Sequence, residues 1–475
     1  MLLGLDLGTG SLKALLLSEN GQVIAEASRA YTVHAPQPGW AESNPNDWWN
    51  AARQATLELG HGLEITAIGF SGQMHGLVLS DAKGQALRNA ILWADGRSSS
   101  ELETYKNLGA QVLQRLANPP VTGMAGMSLL WLKRHEPELL KSARWALQPK
   151  DWLRHQLTGQ AFADPSDASG TLLYDLERDA WAFDLMDTLE LPPALLAPLK
   201  GSSQTAGTLS SVAAGQLGLR AGIPIATGAG DTPSAMFGSG LATPGAVQLS
   251  IGSGAQIVAA RDAATIDKSL RTHLYRAVTP NGWYAMAAMQ NAGLALEWVR
   301  GMLGLDWETA YLEAFAVGMQ TNGLSFLPYL MGERTPHLNA NARGAWVGLA
   351  LSHTRGHLMR AAFEGVAFAI RDGFQALLET GIEVSALRLV GGGTTIQTWR
   401  QLLADTLQRP LHTSEISSAS ARGAALLAGV ASDVFSSCED TLAFAPTPVL
   451  VAEPQANLDE AFAQFQALYP RIHQG

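Results

Sequence analysis

The sequence holds one cysteine, Cys438, among 475 residues. This excludes an internal disulfide and any zinc or iron–sulfur site built from several cysteines. Charged residues are also scarce, at 16% against the roughly 25% of ordinary soluble domains. With 47% of the chain apolar, disorder is not expected. The formal net charge of −10 leaves no broad basic face for nucleic acid or anionic lipid, although a local basic pocket for a small anion is compatible with it. No apolar run approaches the ~18 residues of a membrane span, and the start of the chain carries Asp6 with no basic segment, unlike a secretory signal. The expectation is a soluble, reduced, cytoplasmic protein with no nucleic-acid or membrane partner. Two phosphate-binding fingerprints are missing as well. There is no Gly-Lys dipeptide, which excludes a P-loop, and no complete GxGxxG, which leaves a Rossmann dinucleotide site without its signature.

Glycine is abundant instead: 48 residues, about a tenth of the chain against an average of roughly 7%. The length predicts two to four domains, and no linker or low-complexity tract separates them. Residues 1–31 read as a strand, a Gly-rich turn, a second strand, and a third strand after the Asn20-Gly21 turn. Asn44-Pro45 opens a helix over 47–59 that Gly60 closes. A strand over 66–71 runs into Gly72-Gln73-Met74-His75-Gly76, and residues 100–200 read as largely helical. Short strands are expected at 223–226 and 386–390. Between them Met359, Phe363, Val366, Ile370, Phe374 and Leu377 recur at helical spacing. Alternating strands and helices predict an α/β fold. Displaced by 244 residues, Leu7-Gly8-Thr9-Gly10 overlays Ile251-Gly252-Ser253-Gly254, an echo that would make the chain two similar halves joined near residue 240.

Backbone N–H groups can approach phosphate closely where glycine removes the Cβ. Three segments offer this: Gly8-Thr9-Gly10-Ser11 with Lys13 just beyond, Gly252-Ser253-Gly254, and Gly391-Gly392-Gly393-Thr394. Each is also compatible with a plain tight turn. Asp6 lies among leucines in a buried strand, where an unpaired carboxylate is costly. It either meets Mg²⁺, directly or through water, or caps the turn that follows. Asp231, after Gly228-Ala229-Gly230 at a strand end, is placed to take a proton from an attacking hydroxyl or to be the N-cap of the next helix, two roles that are compatible with each other. Gln73 and His75, with Trp93, Asp95 and Arg97 of the segment 91–97, suit a polyhydroxy ligand that needs several hydrogen bonds beside an apolar face. His353 and His357 have the four-residue spacing of metal ligands on a helix, but Thr354-Arg355-Gly356 between them makes a poor helix interior and no carboxylate lies beside them, which argues against zinc.

In order along the chain, LGLDLGTGSLKALLL, SGQMHGLVL, ILWADGR, DWLRHQLTG, GAGDTPSAMFGSG, LSIGSGA, FLPYLMGERTPH, FEGVAFAIRDG and LVGGGTTIQTWRQLLAD resemble the FGGY carbohydrate kinases, and the resemblance covers essentially the whole chain. It implies an α/β fold of two actin-like (ribonuclease H-like) domains flanking a central cleft, one over 1–240 and one over 241–475. It also implies ATP and Mg²⁺ as cofactors, and phosphorylation of D-xylulose to D-xylulose 5-phosphate. Asp231 matches the family's general base and Asp6 the aspartate associated with Mg-ATP. Met74 and His75 match sugar contacts, with Gln73, Trp93 and Asp95 expected beside them. Gly8 to Lys13 and Gly252 to Gly254 resemble the two phosphate loops, and Gly391 to Gly393 with Gln397 the adenosine segment. Glu333, Arg334 and Thr335 belong to a family signature with no assigned step. Three departures stand out: Ala94 where asparagine is usual, Thr232-Pro233 after the base, and Gly254 in the second loop, which predicts a looser loop there. The partners implied are the sugar and ATP, with a homodimer left open. A kinase for another ketopentose or polyol (ribulose, glycerol) and an actin-like filament or chaperone are the rival readings.

Overall fold

The computed structural model describes residues 1–473 other than 61, 319, 320, 322 and 415. Its frame is a pair of seven-stranded sheets. In the first, the spatial order Pro224–Ala226, Ala67–Gly72, Leu2–Leu7, Ser11–Leu17, Val23–Ala30 comprises two parallel contacts followed by two antiparallel ones. The second repeats that pattern with Leu411–Thr413, Leu387–Val390, Val247–Ile251, Ala255–Arg261 and Trp283–Met289. The 244-residue echo is therefore structural, and Ser11–Leu17 maps onto Ala255–Arg261 residue for residue. The turns differ by one residue: Leu7 pairs with Leu12, whereas Ile251 pairs with Ala255.

Side chains alternate across a strand, and the opening strand shows what each face meets. Leu3, Leu5 and Leu7 pack with Trp48, Ala51, Ala52 and Ala55 of the helix Pro45–Leu59, which Asn44 caps as expected. Leu2 packs instead with Ala421, Ala425 and Ala428 of the helix Ala419–Ala431 from the far end of the chain. The approach there is close: a Cβ on Gly4 would stand 2.0 Å from the Ala421 carbonyl oxygen, and one on Gly69 1.9 Å from that of Ala424. Asp6, by the same alternation, lies on this second face. The stripe from Met359 to Leu377 is buried in the helix Arg355–Leu378 against the second sheet. His353 and His357 flank its start, and the imidazole of His357 accepts from the Thr354 N–H at 3.3 Å in a capping box.

Residues 100–200 are less helical than expected. Short helices dominate, but Trp145–Leu147 pairs with Val78–Ser80, and Tyr174–Asp175 with Ala180–Trp181. Periodicity cannot reveal pairings of two or three residues. This region also reaches the second half: Asn118 donates to the Leu274 carbonyl at 3.0 Å, and Ser169 Oγ accepts from the Arg276 N–H at 3.0 Å. Among the described residues no helix is long and apolar enough to cross a membrane.

Candidate active site

Three of the glycine-bearing segments meet at one end of the first sheet. Asp6 is in register with Ser71, and Ser71 with Ala229, so three adjacent strands bring Asp6 and Asp231 together. Ser71 Oγ donates to Asp6 Oδ1 at 2.9 Å, and Lys13 faces Asp6 across the hairpin. Burial raises the pKa of the Asp6 carboxyl against the pull of Ser71 and Lys13. Asp231 is pushed up to about 7, first by burial and then by the charge of Asp6. It is not the N-cap of its helix. Gly230 is, and the Asp231 carboxylate accepts from the Thr232 N–H at 2.6 Å.

The first loop is braced from three sides. The Gly8 carbonyl accepts from Tyr31 Oη, and from the Gln73 amide at 3.3 Å; Trp93 Nε1 donates to Thr9 Oγ1 at 2.9 Å. Gly10 and Lys13 stay exposed and Ser11 half-buried. Gln73 thus leans on the loop, with its Oε1 buried and unpartnered. In the second half, position 391, at φ 113°, accepts only glycine, because a Cβ there would lie 2.2 Å from the Ile251 carbonyl oxygen. That contact joins the Gly391–Gly393 segment to the second loop, and all three of its glycines are exposed. Gln397 opens the following helix and donates to the Val451 carbonyl at 2.8 Å. The second loop is not loose. The Gly252 and Ser253 carbonyls accept from Gly293, Ala292 and Leu294 N–H groups, each at 3.0 Å, and a Cβ on Gly254 would sit 2.6 Å from the Met289 carbonyl. The expected flexibility is corrected: glycine there permits a close approach.

His75 holds φ 71°, and its Nδ1 lies 2.7 Å from the Gly170 carbonyl. A carbonyl only accepts, so Nδ1 carries the proton and Nε2 is left as an acceptor. Burial is the main reason its pKa falls to about 4, with the charge of Arg334 adding to it, so the ring is neutral near pH 7. Met74 is buried beside it, in a cluster with Met236, Tyr275, Tyr284 and Met286, which links the two halves. Asp95 is held by its neighbours. Its oxygens accept from the Ala41 N–H (2.6 Å), the Arg97 N–H (2.9 Å), Arg97 Nε (2.8 Å) and Arg97 Nη2 (2.8 Å). That matches the four acceptor sites of a carboxylate, and Asp95 anchors the Arg97–Trp40 stack.

Glu333 explains part of the signature around it. Its carboxylate, pushed up to about 7 chiefly by burial, accepts from the Gln290 N–H at 2.6 Å, and Thr335 is tied to Ala288. The signature thus clamps the end of the strand Trp283–Met289. Sequence reasoning missed Tyr275, Tyr284 and His273, which form the second half's side of the buried cluster around Met74 and His75. These residues belong to buried strands without any motif. It also gave no role to Lys150, Asp151 and Arg154, whose helix, Pro149–Thr158, is polar in composition and does not disclose that these charges are buried.

The repeated sheets and the carboxylate pair at the end of one of them place the molecule in the class of two-domain proteins with the actin-like fold. Residues 1–238 match the N-terminal domain, and 247–432 the C-terminal domain, of the FGGY family of carbohydrate kinases. The chain belongs to that family and is an ATP-dependent carbohydrate kinase. It is 35% identical to the xylulose kinase of Escherichia coli K12 over 85% of this chain and 84% of the relative, and 33% identical to that of Bacillus subtilis 168 over 92% and 89%. Among solved structures, a xyloylose kinase from Brucella ovis superposes with a TM-score of 0.94 at 34% identity, covering 100% of this chain and 99% of that one. A xylulose kinase from Rhodospirillum rubrum gives 0.93 at 30%, with the same coverage.

Proposed function

We propose that this protein transfers the γ-phosphoryl group of ATP to the terminal hydroxyl of D-xylulose, with Asp231 as general base. The observation that carries the chemistry is the half-buried Asp231 carboxyl, raised to about 7 and set beside Asp6 at the end of three strands. A base poised near working pH suits proton abstraction from an alcohol. The choice of sugar is supported by relatives named xylulose kinase that align over most of both chains. The intact Gln73-Met74-His75-Gly76 segment is consistent with it.

In this reading His75 Nε2 accepts a hydrogen bond from a sugar hydroxyl, and Met74 with Tyr284 supplies the apolar wall. Ionised Asp231 accepts the proton as oxygen attacks. Exposed N–H groups of the first and second loops, with Lys13, meet the developing charge on the phosphoryl oxygens. The Gly391–Gly393 segment and Gln397 form the adenosine side. Asp6 fits Mg²⁺ as a single carboxylate beside a second one, with only one hydroxyl bonded to it. No cluster of three metal-ligating side chains occurs among the described residues, so the ion would be held mostly by ATP. When bound, it neutralises phosphate charge. Localisation in the cytoplasm belongs to the same proposal. An ADP-release assay across ketopentoses and polyols tests it: xylulose should give the highest kcat/KM, and preference for ribulose or glycerol would overturn the choice of sugar.

A further inference from the structure

The reaction above leaves a fully buried charge cluster without a role. Lys150 Nζ lies 2.7 Å from Asp151 and from Asp164, and 3.2 Å from Asp167; Arg154 pairs with Asp151 at 2.8 Å. All five side chains have no exposed surface. Buried ion clusters are often no more stabilising than apolar residues of the same volume. Stability alone is thus a poor reason for this one, and where its hydrogen bonds lead is more informative.

They lead to the backbone of the active site. Asp164 Oδ2 accepts from Ser166 Oγ at 2.5 Å and from Ser202 Oγ at 2.8 Å. Ser166 Oγ in turn accepts from the N–H of Gly230 at 3.2 Å, the residue just before Asp231. Arg154 donates to the Thr227 carbonyl at the start of the same turn. In the other direction, the Gly170 N–H donates to the Asp167 carbonyl at 2.9 Å, and the Gly170 carbonyl holds His75 Nδ1. The short helix Pro165–Ala168 is thereby tied to the turn that carries Asp231 and, through Gly170, to the imidazole of His75.

We propose that the Lys150–Asp164–Ser166 chain is a positioning device that sets the Asp231-bearing turn relative to His75, with the Ser166 hydroxyl as its last link. It rests on Asp231 being the base. Ser202 supplies the control, because its hydroxyl reaches the same Asp164 oxygen, while its one hydrogen bond to the turn runs from the Gly228 N–H to its backbone carbonyl at 3.0 Å, which alanine keeps. Ser166→Ala should lower kcat for the ketose about 10-fold with KM within about 2-fold, since small misplacement of a reacting group is costly. Ser202→Ala should stay within about 2-fold in kcat, while both variants melt at similar temperatures. Ser166→Thr, which keeps the hydroxyl, takes the place of the alanine variant if that one does not fold, and should then retain kcat. In an Asp231→Asn background, Ser166→Ala should cause no further loss. Equal kcat losses in the two serine variants, wild-type kcat in Ser166→Ala, or a further 10-fold loss in the Asn background would overturn the device. Near-native turnover of Asp231→Asn alone would overturn the base itself, a separate result.

Discussion

At the residue scale, the proposed base gives the reaction a pH signature. Asp231 must be ionised to accept a proton, so kcat/KM should rise with pH through about 7. Such a limb is ordinarily assigned to histidine, but His75 stays neutral down to about 4. His75→Asn should therefore leave the limb in place, whereas Asp6→Asn, by removing a neighbouring negative charge, should move it to lower pH. A limb that vanishes in the His75 variant would contradict this assignment. The same carboxyl has a stability signature. Its folded pKa is raised above the ordinary 3.8, so its contribution is fully present below that value and is lost as pH rises through about 7. Asp231→Asn should thus raise the melting temperature at pH 8 more than at pH 5, as scanning fluorimetry would read, while kcat falls by about 10²–10⁴-fold.

At the element scale, glycines fix how closely segments approach. Gly391→Ala would drive a Cβ into the Ile251 carbonyl at 2.2 Å from a backbone with φ 113°. The expected outcome is a rise in KM for ATP of roughly 10–100-fold with KM for the sugar little changed; initial-rate kinetics with each substrate varied would show it. Such elements were legible in the sequence where a local rule writes them. The Asn44 cap, the stripe from Met359 to Leu377 and the paired Gly loops each follow from spacing. Pairings of two or three residues, such as Val78–Ser80 with Trp145–Leu147, depend on distant partners and leave no periodic trace. The setting of Asp95 was hidden for a related reason. Its residue type suits a sugar, and only the fold discloses that Arg97 and Ala41 bond its carboxylate. The placement of the two loops and both aspartates at strand ends was readable, because a polar residue beside glycine at a strand end is unusual locally. The opposite wall, Tyr275 and Tyr284, was not, since it is core-like in composition.

At the scale of the whole molecule, the two halves are joined by backbone contact between helices. A Cβ on Gly423 would stand 2.0 Å from the Ser234 carbonyl, and one on Gly238 2.0 Å from that of Ala419. Ser234 lies one turn from Asp231 on the helix Asp231–Gly238, and Ser420 Oγ donates to the Asp231 carbonyl at 3.3 Å. Gly423→Ala should therefore destabilise the protein by about 1–3 kcal/mol and lower kcat as well, because the displaced helix carries the proposed base. Thermal unfolding and kcat measured on one preparation would test both. The two-half organisation was visible in the sequence as a single short echo, and became certain only with the shared strand order. The account depends most on a carbohydrate kinase that uses Asp231 on xylulose. The most direct measurement is ATP-dependent ADP release with a sugar panel, run on the wild type and on Asp231→Asn. The account predicts xylulose as the best substrate and a loss of about 10²–10⁴-fold in the variant. Weak response to xylulose, or near-native turnover without the Asp231 carboxylate, would contradict it.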